Sequence, residues 1–108
     1  MKKIPFAWSV HPGEILRMEF MEPPGLSSYQ LAKELHISAP RINDLIRCQR
    51  TLTADTAMRL SICFGPSPEY WLSLQNKYDL WLASQNPSLA EIRPREQAAD
   101  SDPLQSVT

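Results

Sequence analysis

The sequence predicts an all-α fold of five helices joined by short loops. Three observations carry that reading. Apolar residues recur at helical spacing, with no sustained alternation of the kind that marks strands. Proline and glycine break the chain at Pro12-Gly13, Pro23-Pro24-Gly25 and Gly65-Pro66-Ser67-Pro68. A serine or threonine precedes four of the apolar-periodic runs, where its side-chain oxygen can cap a helix.

The first helix is expected over about Pro12 to Met21, with Pro12 in the first turn and Glu14 complementing the helix dipole. Ile15, Leu16 and Phe20 share one face. Ser27 caps a second helix, about Ser28 to Leu35, whose stripe is Leu31, Ala32 and Leu35. After a tight connection at His36-Ile37, Ser38 caps a third helix of about Ala39 to Arg47, burying Ile42, Leu45 and Ile46. Thr53 caps a fourth, Ala54 to Phe64, with Ala57, Leu60, Ser61 and Phe64 inward and Gly65 as the stop. Ser67 caps a fifth with Pro68 in its first turn, running to about Ala83. Residues 1–10 read as an N-terminal arm and 11–84 as one helical domain. Residues 85–108 read as a largely disordered tail with a short helical turn at Pro87 to Ile92.

Composition narrows function mainly by exclusion. A chain of 108 residues holds one domain and excludes a two-domain enzyme, a TIM barrel or a doubly wound sheet. No run approaches the roughly 18 apolar residues of a membrane span. The opening Met1 to Trp8 mimics a secretory leader but breaks at Ser9, so a cytoplasmic location is expected. The two cysteines, Cys48 and Cys63, read as reduced thiols, and no metal or cofactor is expected. With two histidines, no glycine-rich phosphate loop and no nucleophile–base pair, the chain is not read as an enzyme. Net charge of −1 and a pI near 6.1 do not announce nucleic acid, so any such reading rests on local pattern.

That pattern lies in Ser27 to Arg50. Two short helices joined by about three residues have the layout of a helix-turn-helix unit, whose second helix enters the major groove. On a helical wheel, Ile42, Leu45 and Ile46 define the inner face of the third helix. Its outer face centres on Pro40, Asp44 and Arg47, flanked by Arg41 and Asn43. These side chains suit base edges: Arg forks onto guanine, Asn onto adenine, Asp accepts from cytosine N4, and Pro or Ala touches a thymine methyl. Ser38 and the adjacent amides suit a phosphate, and Arg47 and Arg50 flank the groove. The competing reading is a plain solvated helix face; local charge is weak, with three arginines against one aspartate from His36 to Thr51, so moderate affinity requiring two copies on DNA is expected.

Five blocks then occur in order. They are His11-Pro12-Gly13-Glu14-Ile15-Leu16, Leu31-Ala32, Arg41-Ile42-Asn43-Asp44-Leu45-Ile46, Leu52 to Leu60, and Ser67-Pro68-Glu69-Tyr70-Trp71-Leu72-Ser73-Leu74-Gln75. Together they resemble the HigA-type antitoxins, also known as the virulence-associated protein I group, within the phage-repressor-like (Xre, lambda repressor-like) helix-turn-helix proteins. The resemblance spans about His11 to Leu82. It implies a homodimer that binds a palindromic double-stranded operator, represses its own operon, and neutralises HigB, a ribosome-dependent mRNA endonuclease. It implies base contacts at Ala39, Pro40 and Asp44, with Ser28 and Ser38 near phosphates. Two positions depart from the pattern: His36 and Cys48 stand where glycine, or asparagine at the turn, is common. If either backbone is left-handed, these residues bear strain.

On the fifth helix, Trp71, Leu74, Tyr78, Trp81 and Leu82 fall on one side and read as a core stripe. Leu80 projects opposite and Leu72 to the flank. Trp71, Leu72 and Leu80, with Phe6 and Trp8 of the arm, are the expected dimer surface. The arm, the fifth helix and the tail are equal candidates for a toxin surface. Two other functions fit the same residues: a stand-alone Xre-type regulator without a toxin, and an interaction module that has lost DNA binding.

Overall fold

The structure, a computed structural model, describes residues 3–95. A 3-10 turn at Phe6–Ser9 precedes α1 (Pro12–Ile15), which continues directly into a π-helical segment, Leu16–Met21. Then follow α2 (Ser28–Leu35), α3 (Ala39–Ile46), α4 (Ala54–Phe64), α5 (Pro68–Ser84) and a closing 3-10 turn, Pro87–Glu91. Among the described residues there is no strand.

The helix starts are where their caps place them. Ser27, Ser38, Thr53 and Ser67 each accept a hydrogen bond from the backbone N–H three residues on. Ser27 and Gln30 complete a reciprocal capping box, with bonds of 2.9 and 3.1 Å. Gly65, at φ 106°, takes a backbone that a side chain would strain, and α4 stops there.

Leu16, Leu31, Ile42, Leu45, Leu60 and Trp71 form the centre of the core, fully enclosed. Several residues depart from the wheel, among them Ile46 of α3, which is half-buried. The first helix buries Leu16 and Met21, with Phe20 only half-buried against Phe64 and Trp71. The bond Glu22 N–H to Arg17 O spans five residues, so the wider winding turns Met21 inward. In α4, Thr56 is buried while Ser61 and Phe64 are half-buried. In α5, Trp71 has no exposed surface, so it is a core residue and not part of a dimer surface. Leu72 is half-buried against the same core, whereas Leu80 and Leu82 are 44% and 47% exposed. Leu82 shares the Trp71 face of the wheel, but it lies three turns further along a 17-residue helix, beyond the enclosed core.

Between those ends, α5 is covered by the N-terminal arm. The Phe6 and Trp81 rings meet edge-on at 6.1 Å, and Lys77 Nζ stands 5.8 Å from the Trp8 ring centre. The rest of the predicted tail, 96–108, lies outside the described residues.

Candidate nucleic-acid interface

The α2–α3 unit is held by two turns of the same design. At the end of α2, His36 is left-handed (φ 57°, ψ 43°). Its N–H reaches Lys33 O, and Ile37 N–H reaches Ala32 O. At the end of α3, Cys48 is left-handed (φ 61°). Cys48 N–H reaches Leu45 O, and Gln49 N–H reaches Asp44 O. Both are Schellman turns, the helix stop that glycine usually provides. The sequence flagged these two positions; the strain it anticipated is present at both.

Three further contacts aim α3. Gly13 lies against its carboxyl end so closely that a Cβ would sit 1.8 Å from Leu45 O. The buried His11 accepts from Gly13 N–H at 2.9 Å and stacks edge-on with Tyr78 at 4.9 Å. Burial pushes the His11 pKa down from its ordinary 6.5, against a backbone bond to Arg50 and the charges of Asp79 and Glu14. The loop beyond α3 is fastened by Leu52 N–H, which donates to the buried Gln75 at 2.8 Å. Gln75 donates in turn to Asp79.

The outer face of α3 is open. Ser38, Pro40, Arg47 and Arg50 are exposed, and Ser28, Ala39, Asn43 and Asp44 are partly exposed beside them. Asp44 accepts from Arg50 at 3.4 Å across the loop, which offsets its charge on this surface. Arg41 behaves differently. Its Nη2 turns back onto α4, 3.1 Å from Asp55 Oδ2 and 2.6 Å from Thr56 Oγ1. Asp55 also accepts from Arg59 Nε at 2.9 Å, and Arg59 Nη1 donates to Leu35 O, the last carbonyl of α2, at 2.8 Å. Arg59, then Arg41, holds the Asp55 carboxyl below its ordinary pKa. Sequence reasoning missed Asp55 and Arg59. Their spacing of four on α4 is a visible signal of a helical ion pair, but nothing in the chain order announces Arg41 as the third member.

Cys48 lies near this face with its Sγ 3.9 Å from Glu14 Oε1. Burial and that carboxylate raise its pKa, leaving an ordinary protonated thiol. Among the described residues no group of His, Cys, Asp or Glu could hold a metal, and no helix is long and apolar enough to cross a membrane.

Two capped helices, a three-residue turn and an open polar face on the second define a helix-turn-helix protein of the phage-repressor-like class. No family model matches the chain. Individual relatives do. Virulence-associated protein I of Dichelobacter nodosus is 53% identical over 84 residues, covering 78% of each chain. Antitoxin HigA-1 of Vibrio cholerae is 39% identical over 72 residues, 67% of this chain and 68% of its own. The solved structure of antitoxin GraA in complex with its operator superposes with a TM-score of 0.78 at 37% identity, covering 88% of this chain and 97% of that one. The chain belongs to the HigA-type antitoxin family.

Proposed function

We propose that this chain is the antitoxin and autorepressor of a type II toxin–antitoxin pair: a homodimer that inserts α3 into successive major grooves of its own operator and binds a HigB-like mRNA endonuclease. One observation carries the DNA half. Pro40, Asp44 and Arg47 project together from a helix whose other side is locked into the core by Ile42 and Leu45. In this reading Ala39, Pro40, Asn43 and Asp44 meet base edges. Ser28, Ser38, Arg47 and Arg50 meet phosphates. The Asp44–Arg50 pair is exposed and long, so little opposes Arg50 moving to a phosphate while Asp44 accepts from a base. The family likeness supports the toxin half, and no catalytic role is assigned to the chain.

Two copies are needed because successive major grooves lie about 34 Å apart. With Trp71 in the core, the dimer surface is reassigned to the exposed apolar end of α5. Leu80 lies there, 44% exposed, and Phe6 of the arm is 78% exposed, whereas Leu82 is exposed on the opposite side of the helix and Leu72 is half-buried against the core about two turns away.

The test is binding to a duplex from the chain's own upstream region, measured with sedimentation and with the product of the neighbouring gene. The proposal expects two protomers per operator, affinity falling steeply with salt, and capture of the neighbour's product. Salt-insensitive or absent DNA binding defeats the regulator half. Failure to capture that product leaves a stand-alone regulator.

A further inference from the structure

The α3 helix carries two arginines, and the fold treats them oppositely. Arg47 is exposed and has no acidic partner among the described residues. Arg41 is gripped by Asp55 and Thr56, and its side chain is only 28% exposed. The grip is more than a loose surface pair. Thr56 is buried, and its hydroxyl is also bonded by Thr53 at 3.3 Å. Arg59, anchored in turn on the end of α2, donates to the same Asp55 oxygen as Arg41. The Asp55 carboxylate, 55% exposed, thus accepts from two guanidinium groups in the first turn of α4, where a negative charge is stabilised by the helix dipole.

The consequence concerns how DNA affinity is divided. Cations on phosphates bind any sequence, whereas base-edge contacts discriminate. A cation withheld from the backbone lowers affinity for all duplexes and leaves a larger share of binding to the readers on the outer face. We propose that Asp55 sets the sequence-independent part of DNA affinity, by keeping Arg41 on α4 and off the phosphates of any duplex. This rests on the DNA-binding reading above and adds a role for a residue that itself touches no DNA.

The test compares the full chain with Asp55→Asn and Asp55→Glu, and with Asp55→Asn combined with Arg41→Gln. Binding is measured across a salt series on the promoter duplex and on a scrambled duplex of equal length. In Asp55→Asn, the slope of log K against log salt steepens by about 0.9, the signature of one added phosphate contact. The scrambled duplex and the promoter gain affinity by a similar factor, as a sequence-independent phosphate contact requires. Asp55→Glu keeps a carboxylate for Arg41 and stays near the parent. Adding Arg41→Gln removes the extra slope. An unchanged slope in Asp55→Asn overturns the proposal, as does a gain that persists without Arg41. So does a parent slope that drops by about 0.9 in Arg41→Gln alone, because Arg41 then already meets a phosphate. A weaker Asp55→Asn protein with parent slope and a lower melting temperature marks Asp55 as a structural brace and likewise overturns it. If the parent chain ignores its promoter, the DNA-binding reading fails instead, which keeps the two failures apart.

Discussion

The third and fifth helices differ in how fully a wheel describes them. In α3 the apolar and polar residues separate well, with Ile46 alone of the three predicted inner residues half-buried. Ile42 and Leu45 are buried, and Pro40 and Arg47 are out. In α5 apolar residues occur on every side, and the core stripe read from the wheel holds at one end and fails at the other. Trp71 is sealed in the core, and Leu82, on the same face, is exposed. The difference lies in the partners. α3 packs chiefly against near neighbours in the chain, α1 and α2. α5 is covered in part by the arm Phe6–Ser9, more than 60 residues away in sequence. A helix whose cover is distant cannot be assigned its buried arc from its own periodicity.

Trp71 and Leu80 give the sharpest way to break that contrast. Trp71→Ala should lower stability by about 3–5 kcal/mol, because a fully enclosed indole is lost. Its Nε1 has no hydrogen-bond partner among the described residues, so the residue acts through packing. Leu80→Ser should change monomer stability by less than about 0.5 kcal/mol and weaken the proposed dimer. Denaturant melts and sedimentation separate these outcomes, and a strongly destabilised Leu80→Ser protein would place Leu80 in the core as well.

Gly13→Ala comes next. The added methyl meets the Leu45 carbonyl, so the α1–α3 contact must open, at about 1–3 kcal/mol. A melting temperature equal to the parent's would show that α1 does not press on α3. Arg47→Ala should leave the melt unchanged but flatten the salt slope of operator binding by about 0.9. An unchanged slope removes Arg47 from the phosphate contacts.

Smaller effects come from His11 and His36. Burial disfavours the charged His11 ring in the folded chain, whereas the unfolded chain takes up a proton near pH 6.5. His11 therefore contributes its full stability above that pH. The contribution falls as pH drops below it, until the folded ring also titrates. His11→Asn should lose that part of the acid-side decline in melting temperature, and an identical pH profile would exclude His11 as its source. His36→Gly should raise stability by up to about 1 kcal/mol, because the left-handed turn suits glycine. Lower stability would mean that the imidazole makes a contact outweighing the backbone strain.

Much of the fold is legible in local chemistry. Ser27, Ser38, Thr53 and Ser67 fix four helix starts because a cap needs only its own next three residues. The open face of α3 is legible for the same reason. The π winding that turns Met21 inward is not, since apolar spacing in the first helix also fits an ordinary α turn. Nor is the tie from Arg41 to Asp55 and Arg59, which depends on how α4 crosses α3 and the end of α2. The candidate site was therefore readable as a set of outward side chains but not as a set of available charges.

The most direct test places a photo-crosslinking side chain at Pro40, at Asp44 and, as a control, at Ile62, which is 83% exposed on α4. Each protein is irradiated with the promoter duplex. Adducts at positions 40 and 44 that map to operator bases, with none at 62, are the predicted result. Adducts at 62 with none at 40 or 44 would mean that another face of the molecule meets the duplex.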